Sequence, residues 1–129
     1  MKSFFTIALI LHSVFSLSLA SVSPKTVLAE ITGTWNFEVV FSDDRKGTPT
    51  FTFKQEGEKL TGTYKGGLGE APVTGTIKGE AVNFSFKVSQ MDQEITVTFV
   101  GKVEDASNMT GTVKATSLLP PGKWTARKQ

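Results

Sequence analysis

The stretch "ITGTWNFEVVF" (residues 31–41) decides the fold. Ile31, Gly33, Trp35, Phe37, Val39 and Phe41 fall on one face of an extended chain, and Thr32, Thr34, Asn36 and Glu38 on the other. That period of two belongs to a strand with one dry face and one wet face. It returns in Phe51/Phe53, Leu60/Gly62/Tyr64, Val73/Gly75/Ile77, Val82/Phe84/Phe86/Val88, Ile95/Val97/Phe99, Met109/Gly111/Val113 and Trp124/Ala126. Breaks such as "QEGE", "KGEA" and "SLLPPG" separate these runs, and no helical period develops beyond Glu30. Short strands joined by short connections predict an all-β chain, an eight-stranded antiparallel up-and-down β-barrel. A β-sandwich is the alternative, because periodicity is the same for one closed sheet and for two packed ones.

Inside this pattern one short phrase recurs. "ITGTW" (31–35), "LTGTY" (60–64), "VTGTI" (73–77) and "MTGTV" (109–113) each place threonines outward and a glycine inward. Gly33, Gly62, Gly101 and Gly111 cluster towards one end of the expected barrel, where a missing side chain permits sharp bending and leaves space for an aromatic ring. Trp35 and Phe37 are the expected fillers, and that end is expected to be pinched shut. Gly75 lies nearer the middle. The ordered pairs "NFEVVF"/"NFSFKV", "TFTF"/"TVTF" and "LTGTY"/"MTGTV" also suggest that four strands were duplicated to eight.

The chain starts "MKSFFTIALILHSVFSLSLASVS", with Lys2, an apolar run from Phe4 to Leu19 and small residues up to Ala20. This is the layout of a secretory leader, with cleavage expected after Ala20, so a secreted or periplasmic protein is expected, without stable membrane insertion after cleavage. Residues 21–30 then form an arm or linker, and 31–129 a single domain. The chain has no cysteine, so an exported domain must rest on its apolar core alone. Of 14 basic residues one is Lys2, and the rest stand against 12 acidic ones, a balance that gives no general attraction to nucleic acid. Lys54, Lys65, Lys78, Lys87, Lys102 and Lys114 fall on the outer face and are expected to protect a soluble surface.

Turns alternate between the two ends of a meander. One end carries "QEGEK", "KGEA" and "EDASN"; the other carries 42–49, 65–70, 89–93 and 117–122, with Leu68, Met91, Leu118 and Leu119. Apolar residues on loops at one end mark a mouth, or fold inward as a plug. The candidate ligand-binding residues are Tyr64, Trp124, Phe41, Phe86, Met91 and Leu119, with Tyr64 or an indole N–H supplying the polar contact. The only histidine, His12, lies in the leader. The mature chain therefore lacks the groups for histidine- or cysteine-based nucleophilic catalysis and for thiolate or imidazole metal sites. Asp43 and Asp44, with Glu70 and Asp92 on other mouth loops, lack calcium-loop spacing. The expectation is a non-enzymatic domain with no cofactor, binding a small apolar ligand or a hydrophobic protein segment.

"ITGTW" followed by "LTGTY" resembles the avidin/streptavidin family, whose first and third strands carry Gly-Thr-Trp and Thr-Gly-Thr-Tyr. Gly33-Thr34-Trp35 is also similar to the Gly-x-Trp of lipocalins and the wider calycin group. Both resemblances imply an eight-stranded up-and-down barrel. Biotin binding does not carry over, since Gly66 stands where a hydrogen-bonding serine is expected and the chain has only two tryptophans. Arg127 is the candidate for the last-strand arginine that packs over the lipocalin tryptophan. The "GTW…LTGTY…APVTGT…WTAR" layout also resembles small exported bacterial β domains. A further resemblance, to calycin-type periplasmic metalloprotease inhibitors, implies an alternative function through a free arm formed by Ser21, Val22, Ser23, Pro24, Lys25 and Thr26. That family's disulfide is absent here, and Thr32 stands in place of its serine.

Overall fold

The computed structural model describes residues 29–129. The leader and the arm at 21–26 lie outside the described residues. Nine strands form one antiparallel sheet: β1 (Gly33–Phe41), β2 (Lys46–Gly47), β3 (Thr50–Glu56), β4 (Lys59–Gly66), β5 (Gly69–Lys78), β6 (Ala81–Gln90), β7 (Gln93–Asp105), β8 (Asn108–Ala115) and β9 (Gly122–Lys128). Each long strand pairs with the next, and β9 returns to β1 from Trp35↔Lys128 to Phe41↔Gly122. That last pairing makes the sheet a closed eight-stranded barrel and excludes the sandwich. The two-residue β2 pairs with β1 at Val39 and Val40, continuing the line of β3 after a break at Thr48-Pro49. Proline has no N–H to offer a ladder, yet the Pro49 carbonyl still accepts from the Phe37 N–H at 2.9 Å. Much of the expected 42–49 loop is therefore strand or tight turn laid along the barrel wall.

Every inward residue named by the alternation is on the interior. Phe37 sits at the centre, 4.5 Å from Phe51 and 5.0 Å from Trp124 between ring centroids, with Phe84 and Phe99 edge-on. Ile31, Leu60, Ile77, Val82, Val103 and Met109 are buried at the end where the chain enters β1. Trp35 is fully buried near them and donates its indole N–H to the Ile31 carbonyl at 2.9 Å. No polar or charged residue is buried among the described residues. Outside, pairs such as Lys65–Glu70 and Lys87–Glu94 are exposed, and such pairs contribute little to stability.

The inward glycines explain how so narrow a sheet closes. A methyl group on Gly62 would overlap the Thr52 carbonyl of β3, and one on Gly75 the Asn83 carbonyl of β6. On the far side of the barrel, Gly101 and Gly111 face one another across β7 and β8. A side chain on Gly111 would strike the Val100 carbonyl and come within 2.7 Å of the Trp124 ring. These positions are corners, where adjacent backbones approach too closely for any Cβ.

Gly111→Ala should therefore lower stability by about 3 kcal/mol or more, read from the urea midpoint, with a melting temperature that falls accordingly. Gly67→Ala, at a turn with nothing within 4 Å of the added methyl, should be nearly neutral. Equal effects of the two substitutions would contradict this reading of the corners.

Candidate functional site

The end opposite Trp35 is not filled. Between the ends of β1, β4, β6, β7 and β8 lies an apolar pocket of about 260 Å³. Its floor is Val39, Val97, Phe99 and Val113; its walls are Phe41, Tyr64, Phe86, Leu68 and Leu119; its lip is the backbone and side chains of 45–49. Leu68 and Leu119 are half-buried and turn towards the pocket, whereas Leu118 is 48% exposed and turns away. Of the two expectations for the mouth leucines, neither a free apolar fringe nor a complete plug describes them.

Tyr64 marks the boundary between packed interior and pocket. Its ring stacks on Phe86 with centroids 4.0 Å apart and 12° between planes. The Leu68 N–H donates to its hydroxyl at 3.3 Å, and Gln90 Nε2 donates to the Leu68 carbonyl at 3.2 Å, so the β4–β5 turn is tied to both neighbours. Among the described residues no acceptor receives the Tyr64 hydroxyl proton. Burial raises the phenol above its ordinary range, and the hydrogen bond from Leu68 offsets part of that rise.

The sequence-derived candidates divide by depth. Phe41, Tyr64, Phe86 and Leu119 meet at the pocket. Trp124 does not reach it. Register sets it level with Val39 and Gly111, and its ring leans over Gly101 into the space the glycines leave, stacked on Phe37. Its indole N–H is already donated to the Thr112 carbonyl at 2.8 Å, so no indole is available as the polar contact. Met91 stands outside the pocket, 88% exposed at the β6–β7 turn. Met91 and Asp92 both have positive φ (54° and 61°), the conformation of a tight two-residue hairpin that usually carries Asn-Gly. Arg127 lies on the outer face, paired with Asn36 and Asn108, and so is not over Trp35.

Arg45 is the residue that sequence reasoning missed. Its carbonyl accepts from the Phe41 N–H at 2.8 Å, so it faces an inward position of β1 and lines the pocket lip. Asp43 braces it, accepting from the Arg45 Nε at 2.6 Å and from its backbone N–H at 3.1 Å. Desolvation acts to raise the Asp43 carboxyl, but these hydrogen bonds outweigh it and hold the group below its ordinary range. No carboxylate lines the pocket among the described residues.

No family model matches the chain, and no curated protein does. Solved structures of designed barrels do. A redesigned β-barrel has a TM-score of 0.64 at 12% identity, covering 81% of this chain and 94% of its own. A de novo fluorescence-activating β-barrel has a TM-score of 0.56 at 14% identity, over 77% and 94% of the two chains. The redesigned barrel mFAP1 bound to DFHBI has a TM-score of 0.57 at 12% identity, over 81% and 97%. At these identities the likeness is one of fold: a closed eight-stranded antiparallel barrel, the plan of calycin-like folds in general.

Because Tyr64 is the only tyrosine in the chain, phenolate absorbance reports on it alone. In the folded protein it should titrate above the unperturbed value near 10, and in denaturant at that value. The raised pKa means its contribution to stability is complete below the unfolded pKa and is lost as pH rises through the folded one. Identical titrations in the two states would place the hydroxyl in open solvent.

Proposed function

We propose that this chain is an exported, non-enzymatic binding barrel that takes a small apolar ligand into the pocket between Phe41, Tyr64, Phe86 and Leu119. The observation that carries the reading is the asymmetry of the interior. One end is packed with aromatic and aliphatic side chains, and the other keeps a hollow of about 260 Å³ with apolar walls. A rigid barrel that leaves apolar surface uncovered at its mouth gains by covering it with a ligand. With about 30 Å³ taken up by each water in the liquid, the hollow has the volume of roughly nine waters and suits a guest of about that many non-hydrogen atoms. A protein partner would be limited to inserting one side chain. The binding of DFHBI by a barrel of the same plan supports the reading only at the level of architecture. Export rests on the leader pattern of residues 1–20.

Displacement of an environment-sensitive apolar dye tests the proposal. The dye should bind with one-to-one stoichiometry and be displaced by simple alkylbenzenes. Val97→Phe, which adds volume to the floor, should weaken dye binding by at least about tenfold, with folding checked by circular dichroism. Met91→Ala should leave binding unchanged. Undiminished binding to a folded Val97→Phe protein would remove the pocket from consideration.

A further inference from the structure

The lip of the pocket is chemically unlike its walls, and the difference identifies the kind of guest. Two donor-bearing side chains line the hollow, Tyr64 in its wall and Arg45, 54% exposed, at its lip. The Tyr64 hydroxyl accepts from Leu68, and its own proton has no acceptor among the described residues. The Arg45 guanidinium is held through Nε by Asp43, which leaves its Nη groups with no hydrogen-bond partner among the described residues. Both residues line the same pocket, as does Lys46, and no carboxylate does. A neutral apolar molecule would fill the floor and leave these donors facing only water. A molecule with an apolar body and an anionic end would fill the floor and accept from both donors. Hydrogen bonds from an ionised or polar donor to a carboxylate are stronger than neutral pairs, and an arginine with one edge already fixed loses less freedom in making them.

We propose that the ligand is a small amphipathic carboxylate, either a medium-length alkyl acid or an aromatic acid of similar size. Its apolar part lies against Val97, Phe99 and Val113, and its carboxylate lies at the lip between Arg45 and Tyr64. Asp43 acts as a positioning residue that orients Arg45 and does not itself touch the ligand. This inference rests on the apolar-pocket reading above but makes a separate demand: the head group must matter.

Calorimetry with decanoate and with 1-decanol separates the two. Below their aggregation concentrations, decanoate should bind at least about tenfold more tightly than the alcohol. Arg45→Gln should abolish that preference by weakening decanoate and leaving decanol unchanged, and Tyr64→Phe should reduce it several-fold. Asp43→Asn should lower decanoate affinity less than Arg45→Gln does, again without affecting decanol. Equal affinity for acid and alcohol, or an Arg45→Gln protein that retains the preference, would overturn the carboxylate assignment while leaving the apolar pocket intact. Failure of both compounds to bind would overturn the pocket and the assignment together.

Discussion

The structure depends on how closely neighbouring strands approach at glycine. Where Gly101 faces Gly111, the two backbones are so near that a side chain on either would meet the other strand. Only a residue without a Cβ permits that approach, and the approach is what turns the sheet through a corner. Gly62 and Gly75 produce a second corner on the opposite side. With both corners in place β9 reaches β1, no long edge strand remains unpaired, and a chain without a disulfide is closed by its backbone ladder.

The same glycines determine where the interior is full. Because Gly101 and Gly111 carry nothing inward, the Trp124 ring can lie across them and stack on Phe37, and the lower barrel becomes a continuous aromatic core. Nothing comparable exists at the other end. There Val39, Val97, Phe99 and Val113 end the packed interior, Phe41, Phe86 and Leu119 stand around them, and Tyr64 is tied to a turn, which leaves an open hollow above. The pocket is thus the complement of the core: it begins where the large rings leaning into the glycine corners have left the mouth. A Phe41, Phe86 or Leu119 side chain lines that hollow because its strand or loop continues past the level of the packed rings.

Alternation made the side of each strand legible, from Ile31 through Ala126, and with it the barrel and the inward glycines. Depth was not legible. Counting places Trp124 near the mouth, but a long side chain covers ground according to its rotamer and the space beside it, and here the space lies below. Met91 reads as an apolar mouth residue, yet a two-residue hairpin at Gln90↔Gln93 turns it into solvent. Arg45 was hidden in "SDDRKGTP", which has the composition of a common turn. The signal that could have found it is parity: Arg45 and Gly47 resume the inward alternation of β1 once the chain has reversed at 42–44.

On the proposed function, apolar guests enter this mouth pocket and no other part of the surface. Intermolecular nuclear Overhauser effects between isotopically labelled protein and unlabelled 1-decanol test it directly. Contacts are expected from the alkyl chain to Val97, Val113, Phe86 and Leu119, and none to Met91 or to Met109 at the packed end. Contacts confined to exposed residues such as Met91 and Leu118, or to the outer face at Val40 and Val100, would contradict it.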